Sequence, residues 1–258
     1  MRLTIKKTAM VLAAFTIILT GIDATAQVKK GKTMKKKILF VVTSHDKKGS
    51  TGEPTGYYLS EVSHPWEVLH NAGYEIDFVS PKGGKAPVDG FNLEDAVNKK
   101  FWNNETYRYK VEHTLKPSEV KVNDYVAIHY AGGHGAMWDL ADNTEIAAIA
   151  SKIYEHNGAV SAVCHGPAGI VNIKLSNSKY LIEGKKVAGF TNEEEAAVKL
   201  EKVVPFLLED KLKEHGAKYE KAGLWQEYAV TDERLVTGQN PQSAHAVGIA
   251  LLKVLKSL

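Results

Sequence analysis

The sharpest chemistry in the 258-residue sequence lies in Ala162-Val163-Cys164-His165-Gly166-Pro167. A thiol attacks electrophilic carbon as its thiolate, so a reactive cysteine needs a group that takes its proton. His165 is the next residue; it can serve as that base or simply occupy the turn. A short apolar strand ends at Cys164, and Gly166-Pro167 opens a helix behind it. Amides and the positive dipole end of that helix favour thiolate over thiol. The pattern has the shape of a nucleophile elbow with cysteine in place of serine. Cys164 is the sole cysteine, so no intramolecular disulfide competes for it.

Three other segments offer partners. Gly132-Gly133-His134-Gly135 comes after an apolar run. Glycine there either makes an ordinary tight turn or lets backbone N–H groups face a developing oxyanion. Glu61, in Glu61-Val62-Ser63-His64-Pro65, sits beside an apolar helical stripe. It is either a solvated surface group or a buried carboxyl that needs a partner and can move protons at sulfur. Glu193, Glu194 and Glu195 come directly after Asn192. A helix start attracts carboxylates by dipole alone, and one of them can also orient a histidine. Periodicity does not choose which. His129, His134 and His245 complete the set. Glu61, His64 and a loop histidine lack a tight metal-ligand spacing, so no metal is expected. Trp138 and Trp225 read as core or pocket wall.

These groups need elements to hold them. Residues 37–44 form a continuous apolar run suited to a buried parallel strand. Residues 58–72 have helical spacing, with Leu59, Val62, Trp66 and Leu69 on one face, and Pro65 predicts a break. Further strands are expected at 74–80, 125–130, 159–163 and 186–190, and two short ones within 228–238. Helices are expected at 145–156, from Glu193 onward, at 203–215 and at 243–255. Residues 81–117, polar and aromatic with Gly-Gly and Ala-Pro turns, read as an insertion. Strands alternating with helices argue a mostly parallel sheet covered on both faces. Ligands of such sheets bind beyond the strands' carboxyl ends, where Ser44, the Gly132 loop and Cys164 all fall.

Composition sets the outer bounds. The chain is 44% hydrophobic and 24% charged, ordinary for a globular domain. A net charge of +3 argues against a dedicated nucleic-acid binder. Arg2, Lys6 and Lys7, an apolar stretch at 8–21 and Ala24-Thr25-Ala26 read as a secretory signal peptide, 1–26, cleaved after Ala26. Residues 27–36 read as a basic linker and 37–258 as one domain. The expectation is a periplasmic or secreted protein with no membrane attachment after cleavage.

The segments TGYYLSEVSHP, YEIDFVSPKGG, YAGGHGAMWD, SAVCHGPAG, LIEGKKVAGFTNEEE and LVTGQNPQSAHAVG are spread across almost the whole chain. Together they resemble the DJ-1/PfpI superfamily, part of the class I glutamine-amidotransferase-like fold. Within it they are most similar to the Hsp31-like branch of glutathione-independent glyoxalases. The resemblance implies a flavodoxin-like α/β sandwich, often a homodimer. It implies Cys164 as nucleophile, His165 as its histidine, Glu195 as the acid behind it and Glu61 as a carboxyl at the sulfur. Gly133 and the His165 amide would form an oxyanion pocket, lined also by Gly132 and His134. The activity implied is cofactor-independent conversion of a small 2-oxoaldehyde, methylglyoxal, to lactate. Alternatives are a cysteine amidase, peptidase or deglycase, and a holdase chaperone or thiol redox sensor. Members of that branch are commonly intracellular, so the leader is a departure.

Overall fold

The computed structural model describes residues 36–258. The expected leader at 1–26 and nearly all of the expected basic linker at 27–36 lie outside the described residues. The chain opens with β1 (Lys37–Val41), β2 (Tyr57–Tyr58), α1 (Leu59–Asn71) and β3 (Glu75–Val79). Next come β4 (Val88–Asp89), α2 (Ala96–Trp102), α3 (Glu105–Glu112) and β5 (Tyr125–Tyr130). The middle holds α4 (Ala136–Asp139), α5 (Thr144–Glu155), β6 (Ala159–Val163) and β7 (Lys186–Val187). It closes with α6 (Asn192–Ala197), α7 (Leu208–Glu214), β8 (Lys218–Tyr219), β9 (Ala229–Asp232), β10 (Leu235–Gly238) and α8 (Ala244–Ser257).

Six strands form the central sheet in the order β3-β1-β5-β6-β10-β9. All neighbours run parallel except β10 and β9. This is the flavodoxin-like doubly wound order with an antiparallel edge strand added. β1, β5 and β6 are almost wholly buried, as their unbroken apolar runs require. From β1 the chain steps to β3 on one side, then returns to β5 on the other. Right-handed crossovers in opposite directions put α1 and α5 on opposite faces. The order reverses between β1 and β5, and the segments leaving β1, β5 and β6 meet at that edge.

Three expectations change. α1 runs through Pro65 without a break. The segment 81–117, expected to lie outside the core, contributes to it: its α2 and α3 bury Phe101, Tyr107 and Val111. Phe101 and Tyr107 stand edge-on to Trp66 of α1, with ring centroids 5.2 and 5.3 Å apart. These side chains cover the apolar stripe of α1 that would otherwise face water. Finally, α7 begins at Leu208 rather than near 203. Pro205 lacks an N–H and disfavours helical backbone at Val204, so the helix starts after it. Among the described residues no helix is long and apolar enough to cross a membrane.

Candidate active site

Cys164 sits directly beyond β6 with φ of +60°, left-handed backbone that a side chain rarely adopts. Two hydrogen bonds hold it there. Its N–H donates to Gly238 O at 3.0 Å, and its carbonyl accepts from Phe190 N–H at 2.8 Å. The turn places the side chain beside Glu61 of α1 and the Gly133 amide in the loop after β5. Behind the turn lies a five-residue 3-10 stretch, Gly166–Ile170, not an α-helix. The expectation that a helix end favours the thiolate is therefore corrected. Burial and the neighbouring Glu61 push the Cys164 thiol well above its ordinary value, while a contact from the Gly133 amide pulls the other way.

His165 turns its Nδ1 back to the sulfur at 3.4 Å. Its Nε2 lies 2.8 Å from Glu195 Oε2. The carboxylate accepts, so Nε2 carries the proton and Nδ1 is the free base facing the thiol. Burial holds the ring neutral, with its pKa lowered to about 4. The other oxygen of Glu195 accepts from His134 Nε2 at 2.9 Å. The two imidazoles lie tilted with centroids 4.1 Å apart, and Phe190 packs against both, 4.2 Å from His165 and 5.8 Å from His134.

Glu61 approaches from α1 and is completely buried. Its Oε2 accepts from Gly132 N–H at 2.7 Å. Its Oε1 has no nitrogen or oxygen partner among the described residues. Burial raises its pKa from 4.5 to about 8, against the opposing pull of the Cys164 thiol and the Gly132 amide. The approach depends on glycine. A Cβ on Gly132 would lie 2.6 Å from both Glu61 Oε2 and the His165 nitrogen. Gly133 has φ of +91°, and a Cβ there would collide with the Gly56 carbonyl.

A family model described as the DJ-1/PfpI family matches residues 54–254. The chain belongs to the DJ-1/PfpI family. It is 37% identical over 238 residues to "Glutathione-independent glyoxalase HSP31" of Saccharomyces cerevisiae, covering 86% of this chain and 99% of that protein. "Glyoxalase 3" of Candida albicans is 34% identical over 220 residues, 81% of this chain and 93% of that one. The crystal structure of glyoxalase III from Candida albicans superposes with a TM-score of 0.78 at 31% identity, covering 85% of this chain and 97% of that one. Rapid Encystment Protein 24 KDa of Francisella tularensis gives a TM-score of 0.82 at 41% identity, covering 85% and 99%.

This DJ-1/PfpI chain sends its three consecutive glutamates to three places. Glu193 is exposed and reaches Lys221 at 3.3 Å. Glu194 is buried and completes a capping box with Thr191. Its Oε1 also accepts from the Trp225 amide, Gln239 and Asn240. Glu195 alone reaches the histidines. The Thr191-x-x-Glu194 spacing of the capping box is visible in the sequence, but nothing local announces the bonds to Trp225, Gln239 and Asn240. Two expectations about the pocket shift: the Gly132 amide is taken by Glu61 rather than free for an oxyanion, and His134 turns to Glu195. His64 turns to Asp95 at 3.0 Å and its ring neighbours His245, so neither joins the sulfur. His134, His165 and Glu195 have ligand-type atoms within 4.8 Å of one another, and their mutual hydrogen bonds account for that proximity.

Proposed function

We propose that this chain is a glutathione-independent glyoxalase that converts methylglyoxal and water to lactate, with Cys164, His165, Glu195 and Glu61 as its working groups. The observation that carries the reading is a buried carboxyl, Glu61, whose pKa is raised to about 8 beside the Cys164 thiol. A hydrolase needs a nucleophile and its base; isomerising an oxoaldehyde needs, in addition, a group that takes a proton from one carbon and returns it to the next. A carboxyl with a pKa near the working pH suits both halves of that transfer.

The thiol adds across the aldehyde: the S–C bond forms, and the thiol proton passes by His165 Nδ1 to the new hydroxyl oxygen. The ionised Glu61 carboxylate takes the hydrogen of that carbon as a proton, which leaves an enediolate. Glu61 returns the proton to the neighbouring carbon while the hydroxyl proton of the first carbon passes to the oxygen of the second, which gives a lactoyl thioester. Water cleaves the S–C bond, lactate leaves, and the proton returns to sulfur. Glu195 keeps His165 in the tautomer with Nδ1 bare. The Gly133 and His165 amides are the donors we assign to the oxyanion. Cys164 is 3% exposed, a setting that suits a small aldehyde better than a peptide.

Lactate should form from methylglyoxal without glutathione, and Cys164→Ala should abolish it; a fully active Cys164→Ala variant overturns the mechanism. We also assign residues 1–26 to a cleaved leader and the mature chain to a homodimer outside the cytoplasm. The basic, apolar and small-residue pattern of the leader and the family resemblance support this. A mature mass starting at Gln27 is expected; retention of residues 1–26 in the exported fraction counts against it.

A further inference from the structure

α1 continues unbroken through Pro65. Proline has no N–H, so the carbonyl four residues earlier, that of Glu61, lacks its helical donor. The ring of His129 on β5 fills that place, with Nε2 at 3.1 Å from Glu61 O. A carbonyl only accepts, so Nε2 carries the proton and Nδ1 is bare. Nδ1 in turn accepts from the Ser161 hydroxyl at 2.8 Å. His129 and Ser161 are register partners on β5 and β6, and the Phe40 ring stands 4.7 Å from the imidazole. His129 is completely buried, and burial lowers its pKa to about 4, so the tautomer is fixed at neutral pH.

An ordinary N–H at position 65 would satisfy the carbonyl inside the helix and give that carbonyl no tie to the sheet. The His129 bond instead ties the helix to the sheet at the residue whose carboxyl faces Cys164. Glu61 is then gripped twice from β5 and the loop beyond it, by the His129 ring on its carbonyl and by the Gly132 amide on its carboxyl. We infer that His129 is a positioning residue for the reaction: its Nε2–H replaces the donor that Pro65 lacks and sets the Glu61 carboxyl against the Cys164 sulfur. This rests on the reading of Glu61 as the carboxyl that moves the substrate proton.

The test separates positioning from simple satisfaction of a carbonyl. His129→Leu removes the donor, and Pro65→Ala supplies one within the helix. The double variant His129→Leu/Pro65→Ala should recover thermal stability over His129→Leu, yet keep kcat about tenfold or more below wild type with KM within about twofold, as for a misplaced reacting group. His129→Gln, whose amide can donate to Glu61 O and accept from Ser161, should recover most of kcat. If Pro65→Ala restores kcat to the His129→Leu protein, His129 only fills a hydrogen bond and the proposal is overturned. A second readout needs no substrate: the infrared band of the protonated Glu61 carboxyl, identified by its loss in Glu61→Gln, tracked against pH. Its midpoint should move by about one unit in the double variant and return in His129→Gln. An unmoved midpoint overturns the proposal. If the wild-type protein forms no lactate, the proposed function fails, while this titration still decides where His129 places Glu61.

Discussion

Two buried carboxyls of the same residue type flank the Cys164–His165 pair, and their pKa values are driven in opposite directions. Glu195 accepts from two imidazole N–H groups, at 2.8 and 2.9 Å, and its pKa falls to about 2. Glu61 accepts from one backbone amide, keeps its second oxygen without a nitrogen or oxygen donor among the described residues, and rises to about 8. Both are at most 2% exposed, so burial alone does not separate them. What separates them is the kind of donor bent toward each: two imidazole N–H groups on Glu195, a backbone amide and a weakly donating thiol on Glu61. Desolvation raises a carboxyl pKa, and each N–H aimed at the anion lowers it. On this chemistry Glu195 is a permanent anion that orients, and Glu61 a carboxyl that can exchange its proton near neutral pH.

The largest effect should come from Glu61→Gln. It keeps the shape and the Gly132 contact but removes the exchangeable proton, and kcat should fall by about 10²- to 10⁴-fold. Glu195→Gln should cost less in kcat, because its amide oxygen can still accept from His165 Nε2–H and hold that tautomer while the NH2 end turns to His134. Steady-state assays with methylglyoxal rank the two directly. A reversed ranking would show that charge behind His165 matters more than proton exchange at Glu61, and the comparison would break.

Stability against pH sharpens the contrast further, because the two carboxyls pull in opposite directions. In the unfolded chain the Glu61 carboxyl ionises near 4.5, but in the folded chain only near 8. Between those values the folded state holds a proton that the unfolded state has lost, so stability falls as pH rises through that window. Glu195 takes up its proton near 4.5 when unfolded and only near 2 when folded. Its contribution is complete above about 4.5 and is lost as pH falls toward about 2. The Tm of Glu61→Gln should therefore gain on wild type between pH 5 and 8, roughly in step with that window. The Tm deficit of Glu195→Gln at pH 7 should shrink between roughly pH 5 and 3. Parallel Tm curves for the two variants would contradict the assignment of charge.

Much of this arrangement is written in local pattern. Cys164, His165 and the glycine loop are legible because strand ends and glycines announce themselves within a few residues, and β5 and β6 coincide with their apolar runs. What escaped is non-local. Pro65 reads as a helix break because its missing donor is visible in sequence, whereas the His129 ring that compensates lies on a strand 64 positions away. The aromatic residues of 81–117 look like loop residues until Trp66 is beside them. A dipole that favours the Cys164 thiolate requires a helix, which the 3-10 stretch is not, and burial together with the nearby Glu61 pushes the thiol up instead. The choice among Glu193, Glu194 and Glu195 depends partly on a Thr191-x-x-Glu194 capping box, which the sequence does carry, and partly on Gln239 and Asn240, which no pattern near 192–197 contains.

That choice yields the smallest expected effect. Glu193 belongs to the same helical turn as Glu195 and would match it in any one-dimensional view. Its side chain is 65% exposed, and its partner Lys221 is 3.3 Å away and also solvated. Two long exposed side chains gain little from such a pair, since water screens the charges and holding them fixed costs entropy. Glu193→Gln should leave kcat and KM within about twofold of wild type and stability within about 0.5 kcal/mol. Measured beside Glu195→Gln in the same buffer, it isolates position from residue type. If Glu193→Gln lost activity to the same degree, the carboxylate field of the whole helix start would be acting on His165, rather than the two hydrogen bonds that Glu195 alone makes.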